Sequence, residues 1–259
     1  MLELLDFSET MNRPFNRETS VSVLTASLNE SGNIQVWLGE IFSIYQKFKL
    51  EMIKEVIIVD DGSNDGTIEQ IEEIKEIYPI PIHLIKRKSK MGTLNAQIVG
   101  ARYCTSEYVL VMDCDLQHPS SFIPDFIVEL QRNPDVIVGS RYMKGGHNNW
   151  SAYRGLVSRT ATFLAHILIV NSRNLTDPLS GYFLIKKELL SKLNPYKGMY
   201  KPLLYAISMK NDVKAIEIPV KMDSRESGES KIVTNPIKVI IRYLRELLIF
   251  FRDEHSQSK

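Results

Sequence analysis

Two aspartates and a glutamine alternate in the segment MDCDLQ (112–117): Asp113, Asp115 and Gln117. In an extended chain residues i, i+2 and i+4 share a face, so these side chains converge if strand geometry persists past the apolar run before them. Two carboxylates about 4 Å apart repel by roughly 4 kcal/mol at an effective dielectric of 20, and a divalent cation between them removes that cost. All three candidate ligands offer oxygen, which points to Mg²⁺ or Mn²⁺ rather than zinc. Such a cation keeps several waters and is completed by substrate phosphates. The plainer alternative is a solvated acidic turn. Against it stands the position of the segment, after a buried-type strand and beside other acidic strand ends.

VDDGSNDGT (59–67) is a second such end. One carboxylate of Asp60–Asp61 would sit on a base or ribose edge, or the whole segment is turn chemistry, since Asp, Gly, Ser and Asn are what a tight strand-to-helix turn requires. Both readings stand at this level. Neither G-x-G-x-x-G after a strand nor G-x-x-x-x-G-K-[ST] occurs, which argues against a dinucleotide oxidoreductase and a P-loop enzyme. The cations Arg141, Arg154, Arg159, Arg225 and Lys231 are scattered; Arg225 and Lys231 share a loop with Gly228 and Ser230 that would wrap a phosphate or be simply solvated. His118 precedes Pro119 and reads as a loop residue rather than a ligand.

The elements that must position these groups alternate. VSVLTA (21–26) reads as a strand, and Ile34, Leu38, Ile41, Tyr45 and Phe48 mark a helix over 34–48. A strand at 55–59 precedes a helix carrying Ile68, Ile71 and Ile74; PIHLIKR and GTLNAQIVGARYC repeat the pattern. YVLVMD (108–113), a helix opened by Pro119, and DVIVGS complete five strand–helix steps. Alternation of this kind predicts an α/β fold with a mainly parallel, twisted sheet covered by helices on both faces, and ligands at the carboxyl ends of the strands. Asn29 and Glu30, Asp60 and Asp61, Asp113 and Asp115, and Ser140 and Arg141 each follow a strand, so they should share one crevice. Beyond 141 come a Gly- and Asn-rich loop, a helix around 153–170, a return through DPLSGYFLI, a helix near 201–210 and a strand near 213–220. The helix through FLAHILIV is read as core, with a place at a lipid entry as its alternative.

The chain has 259 residues, 32 Lys+Arg against 31 Asp+Glu, and a formal net charge of +1. That balance excludes an overall polycationic nucleic-acid binder. With 44% hydrophobic and 24% charged residues the composition is that of a globular protein able to bury its own core. Two cysteines, Cys104 and Cys114, show neither metal spacing nor a disulfide framework, and fit a reducing, cytoplasmic setting. No signal peptide and no membrane span is expected. The segment after Pro236 reads as an amphipathic helix. On a helical wheel Ile237, Ile240, Ile241, Leu244, Leu247, Leu248 and Phe251 fall together, opposite Lys238, Arg242, Arg245 and Arg252, while Val239, Ile249 and Phe250 widen the apolar arc. Such a helix lies in a membrane interface, docks on the body, or pairs with a membrane-anchored partner subunit; the wide arc favours contact on two sides.

VSVLTASLNE, EVIIVDDGSNDGT, YVLVMDCDLQHPSSFIPDFI, DVIVGSRYMKGG, WSAYRGLVSR, TDPLSGYFLIKKELL and IPVKMDSRESGESK follow one another in an order that resembles family 2 glycosyltransferases. More narrowly the set is similar to the dolichyl-phosphate mannose synthases and related polyprenyl-phosphate sugar transferases, over about residues 20–235. The Asp-x-Asp-Leu-Gln-His-Pro and Arg-x-x-Gly-x-Ser-Lys motifs carry the narrower likeness. The resemblance implies a GT-A catalytic domain at 20–235; before it the polar residues 1–19 read as a flexible arm, and after it 236–259 read as an amphipathic interfacial helix with a polar tail. The resemblance also implies that Ala26, Leu28, Glu30, Val59 and Asp61 hold the nucleoside, and that Asp113, Cys114, Asp115 and Gln117 bind the diphosphate and metal. Arg141, Arg154, Ser158, Arg225 and Lys231 then meet donor diphosphate or acceptor phosphate, with Asp115, Arg141, Arg225 and Lys231 counted as catalytic. Three positions depart from the pattern: Ala26 where Pro is usual, Leu28 where Tyr is usual, and Tyr205 where Glu is frequent.

The expected reaction is an inverting transfer of a hexose to dolichyl or polyprenyl phosphate, with mannose from GDP-mannose ahead of glucose from a UDP donor. A family 2 transferase with a glycan acceptor is the rival enzyme, and a nucleotide-binding regulatory subunit the rival non-enzyme. The expected setting is the cytoplasmic face of a membrane, touched through 236–252, with no nucleic-acid partner.

Overall fold

The computed structural model describes residues 19–148, 152–196, 201–222 and 236–257. Arg225 and Lys231 lie outside the described residues, as do the arm before residue 19 and the side chains of Arg154, Ile237, Lys238, Val239 and Ile240.

The chain runs β1 (Val21–Ser27), α1 (Ile34–Phe48), β2 (Ile53–Asp60), α2 (Thr67–Ile74), β3 (Ile82–Lys86), α3 (Thr93–Tyr103), β4 (Tyr108–Val111), α4 (Ile123–Glu129) and β5 (Val136–Ser140). It continues through β6 (His147–Asn148), α5 (Ala152–Leu168), β7 (Phe183–Lys186), α6 (Lys187–Ser191), α7 (Pro202–Ser208), β8 (Ala215–Pro219), β9 (Lys221–Met222) and α8 (Pro236–Gln257). The main sheet has the order β3-β2-β1-β4-β7-β5-β8, and β6 pairs with β9 in a small parallel ribbon. Every strand of the main sheet but β7 follows the expected parallel pattern.

The pleat divides the apolar residues between two layers. Val56 and Ile58 of β2, with Tyr108 and Leu110 of β4, face the layer built with α1 and α4. Ile57, Val59, Val109 and Val111 face the layer built with α3, α5, α7 and α8. Continuous apolar strands of this type form a sheet covered on both sides, each fully buried Val, Leu or Ile side chain contributing about 1.5–3 kcal/mol relative to exposure. Helix α3 approaches the sheet through Gly100, where a Cβ would stand 2.4 Å from Leu24 Cδ1 and 2.8 Å from Val59 Cγ2.

The departure from simple alternation is β7. It enters antiparallel between β4 and β5, with Phe183 opposite both Val111 and Val138, so the fourth and fifth strands are not neighbours. Because its direction is reversed, β7 begins where β4 and β5 end. The turn before it, Asp177–Tyr182, therefore opens on the crevice that holds the acidic motif.

The helices of the C-terminal half are one-sided. Tyr243, Glu246, Leu247 and Phe250 of α8 are buried, with Tyr243 Oη donating to the carbonyl of Ala161 on α5 (2.6 Å) and Phe250 stacked on Tyr205 at 4.5 Å. Tyr196 and Tyr205 both donate to Asp253 Oδ2, at 3.0 and 2.8 Å. Tyr205, one of the three departures, thus serves to anchor α8. On the other side Ile241, Leu244, Leu248 and Phe251 are exposed. Helix α5 corrects the expectation of a core helix: Thr162 and Ala165 are buried, but Phe163 and Ile167 are 63% and 52% exposed. An apolar run in the sequence does not distinguish a helix buried all round from one buried on a single stripe.

Candidate active site

The acidic motif is a turn, not an extended segment. Regular strand pairing ends at Val111, and Leu116 has φ +64°, the left-handed region that reverses the chain. Gln117 N–H donates to Asp115 Oδ1 (3.2 Å), and Asp113 N–H donates to His118 Nδ1 (2.8 Å), closing the turn from both ends. Asp115 is 4% exposed, whereas the Asp113 side chain is 41% exposed. Asp113, Asp115 and Gln117 therefore share a turn, not the extended segment on which their alternation was read. Cys114 is buried and its thiol is pushed well above the ordinary range by desolvation, so it offers no thiolate.

The donor set suits a hard cation. Two carboxylates and an amide oxygen are available, and among the described residues no group of three or more His, Cys, Asp or Glu side chains is placed to hold a metal ion. An oxygen-only donor set is the chemistry of Mg²⁺ or Mn²⁺ rather than of zinc.

Across the crevice Arg141 follows β5. Its guanidinium makes a fork on Asp177, Nε to Oδ2 at 2.6 Å and Nη2 to Oδ1 at 2.7 Å, and its main-chain N–H also donates to Oδ2. Asp177 is fully buried, and Glu217 of β8 holds its turn by accepting the N–H groups of Thr176 and Asp177. Desolvation opposes the Arg141 charge, but the hydrogen bond and attraction of Asp177 outweigh it and raise the guanidinium's pKa. Tyr142 Oη donates to Ser158 Oγ (2.7 Å), bringing a second residue of the expected phosphate set to the same corner. Lys201, at the head of α7, is lowered by burial and then by the Arg141 charge, while Glu246, Asp177 and Asp113 act the other way.

On the nucleoside side Ala26 pairs in register with Val59 at the carboxyl edge of β1 and β2. Asp60 is the turn residue of its pair. Its Oδ1 accepts Gly62 and Ser63 N–H, and its Oδ2 accepts Ser63 Oγ. Asp61 instead faces the N-terminus of α3. It accepts Met91 N–H and Gly92 N–H (2.9 and 2.8 Å) and stands 3.4 Å from Arg87, where the helix dipole favours an anion. Glu30 Oε2 accepts the Asn33 amide, and Glu30 N–H donates to Thr67 Oγ1, locking the β1 loop onto the β2 loop.

Ala26, Leu28, Glu30, Val59, Asp61, Asp113, Cys114, Asp115, Gln117 and Arg141 thus lie at or just beyond the carboxyl ends of β1, β2, β4 and β5, and Ser158 is joined to Tyr142. Arg225, Lys231 and the Arg154 side chain fall outside the described residues. Reading by type and spacing passed over Asp177, His118 as a structural partner, and Lys201. Asp177 stood in the quoted segment TDPLSGYFLI, but nothing in sequence pairs it with a residue 36 positions earlier.

A family model described as Glycosyl transferase family 2 matches residues 22–193. A dolichol-phosphate mannosyltransferase from Pyrococcus furiosus is 34% identical over 230 residues, 88% of this chain and 62% of that protein, so the chain spans less than two thirds of that relative. A dolichol-phosphate mannosyltransferase from Saccharomyces cerevisiae is 30% identical over 238 residues, 87% of this chain and 85% of that protein. Among solved structures, glucosyl-3-phosphoglycerate synthase from Mycobacterium tuberculosis, in complex with Mn²⁺, UDP and glucosyl-3-phosphoglycerate, superposes with a TM-score of 0.61 at 18% identity, over 91% of this chain and 80% of that one. A mannosyltransferase from Pyrobaculum calidifontis, in complex with GDP-Man and Mn²⁺, gives 0.59 at 15% identity, over 97% and 74%. At such identities the likeness is one of fold, and it bears out the GT-A type. With the family match running from β1 through α6, across the acidic turn and the Arg141–Asp177 pair, the chain belongs to glycosyl transferase family 2.

Proposed function

We propose that this protein is an inverting glycosyltransferase that moves a hexose, mannose from GDP-mannose in the first place, from a nucleotide-sugar to dolichyl or polyprenyl phosphate. The observation that carries the reading is the likeness to dolichol-phosphate mannosyltransferases over 88% and 87% of the chain. The site's chemistry agrees with it. A phosphate monoester has its second pKa near 6, so the acceptor oxygen is already anionic at neutral pH and needs no strong general base. The nearby histidine is not placed to serve as one, because the lone pair of His118 Nδ1 is committed to Asp113 N–H.

What the reaction requires instead is relief of the repulsion between an anionic acceptor and an anionic donor. Arg141, fixed by Asp177, supplies a positive group whose orientation is set before substrate arrives. Arg154, Ser158, Arg225 and Lys231 are proposed to hold the acceptor phosphate. Asp113, Asp115 and Gln117 would hold Mg²⁺ or Mn²⁺, which when bound neutralises the leaving diphosphate. Asp61, Glu30, Val59, Ala26 and Leu28 would frame the nucleoside. A UDP-glucose donor is the second reading, because Ala26 and Leu28 stand where the resemblance leads one to expect Pro and Tyr and so leave the identity of the base open. The proposed setting is the cytoplasmic face of a membrane.

The test incubates the purified chain with labelled GDP-mannose or UDP-glucose, dolichyl phosphate and Mn²⁺. Lipid-linked mannose is expected; absence of lipid-linked product with every donor would overturn the proposal. Asp115→Ala should lower transfer by roughly 10²–10³-fold, the scale on which loss of a group stabilising developing charge is felt.

A further inference from the structure

We propose that His118 is a positioning residue for the cation-binding turn, holding the main chain at Asp113, through its Nδ1 atom, in the orientation that a divalent cation with a nucleoside diphosphate requires. The proposal rests on the assignment of Asp113 and Asp115 to the cation. Its basis is geometric. The Asp113 N–H donates to His118 Nδ1 at 2.8 Å, a bond that spans the whole motif and fixes the tautomer with the proton on Nε2. The ring itself is clamped. It is 5% exposed and stacks on Tyr182 with centroids 5.0 Å apart and planes at 15°, and Tyr182 Oη donates to the carbonyl of Pro119, the next residue (3.1 Å). Gly181 completes the clamp: a Cβ there would stand 3.2 Å from His118 Cε1 and 3.6 Å from Asp113 Oδ2.

Because Nδ1 accepts the Asp113 N–H, that nitrogen carries no proton. The 3.9 Å approach of Nδ1 to Asp113 Oδ2 is therefore a neighbouring contact and not an ion pair. A ring that accepts a main-chain N–H and stacks on Tyr182, the residue before β7, ties the acidic turn to the Asp177–Tyr182 turn that leads into the antiparallel strand. The two halves of the crevice are thus registered on each other through one side chain.

His118→Phe keeps the ring and its stack on Tyr182 but removes the acceptor; His118→Asn keeps an acceptor near the place of Nδ1 and removes the ring. Mn²⁺ binding is read by electron paramagnetic resonance of free Mn²⁺ in the presence of GDP, and again with UDP, alongside thermal unfolding. If outer groups act here as they do at other metal sites, His118→Phe weakens Mn²⁺ roughly 10- to 100-fold while His118→Asn stays within about threefold of wild type. Gly181→Ala, which presses on the ring without touching its chemistry, gives an intermediate loss and carries the test if His118→Phe does not fold. Unchanged Mn²⁺ affinity in both His118→Phe and Gly181→Ala, or His118→Asn as weak as His118→Phe, would overturn the positioning role alone. A wild-type chain that binds no Mn²⁺ with either nucleotide removes the metal assignment itself, and the inference with it.

Discussion

A buried ion pair gains attraction only after both charges have been desolvated, and losing one partner leaves the other stranded. Asp177 is fully buried and Arg141 nearly so, and they share two charge-assisted hydrogen bonds and a main-chain contact. Asp177→Ala should therefore destabilise the fold by about 3–5 kcal/mol, and Arg141→Met in the same background should restore part of that loss. Urea unfolding of the two single variants and the double variant checks it; strictly additive losses would show that the pair is not a unit. At this scale the sequence revealed one half of the site well. Asp113, Asp115 and Gln117 are contiguous, so residue type and spacing alone brought them forward. Asp177 and Lys201 reach the crevice only through tertiary placement, and an aspartate ahead of a proline reads as a turn residue wherever it stands. His118 was seen, yet the same Pro119 that marked it as a loop residue concealed what its ring accepts.

The helices and strands were legible in proportion to how local their causes are. The strand–helix rhythm up to β5 shows in the sequence because each apolar run is short and bounded by turn residues. The direction and neighbours of β7 do not show: Phe183, Leu184 and Ile185 are all buried, and a run apolar on both faces reads the same for a parallel or an antiparallel strand. Two predictions belong to how the elements are joined. Glu55 on β2 accepts Ser22 Oγ from β1 and both the N–H and Oγ1 of Thr105 beyond α3. Burial pushes its carboxyl up, but these bonds outweigh burial and hold it below its ordinary 4.5. A depressed folded pKa contributes stability that is full above 4.5 and is lost as pH falls through the folded value. Glu55→Gln should accordingly flatten the acid limb of the stability curve, measured by chemical unfolding at a series of pH values; a limb of unchanged slope would assign acid lability to other groups. Gly100→Ala tests the α3–sheet approach. With Leu24 and Val59 inside contact distance, overpacking should cost about 1–3 kcal/mol in the same measurement.

At the scale of the molecule, a net charge of +1 conceals a strongly uneven surface. Carboxylates line the strand ends, whereas α5 and α8, side by side through Tyr243 and Ala161, carry Phe163, Ile167, Ile241, Leu244, Leu248 and Phe251 on exposed positions. Arg242 and Arg245 are also exposed on α8. Among the described residues no helix is long and apolar enough to cross a membrane. The proposed acceptor has a tail that stays in a bilayer, and the exposed apolar positions of α5 and α8 are the face to test for contact with it. Burying an exposed Leu or Phe is worth about 1.5–3 kcal/mol, and a cation near an anionic leaflet adds about 1 kcal/mol. Leu248→Asp combined with Phe251→Asp should therefore weaken sedimentation with anionic vesicles by roughly 10²-fold or more on that scale. Both residues lie on the exposed side of α8, away from Tyr243, Leu247 and Phe250, so thermal stability should hold. Turnover on a short, soluble polyprenyl phosphate should also hold, since neither side chain belongs to the crevice. Vesicle binding left intact by the double variant would mean that this face meets something other than lipid. Loss of turnover on the soluble acceptor would mean that α8 acts on the site itself, through Asp253 and the Tyr205 beneath it.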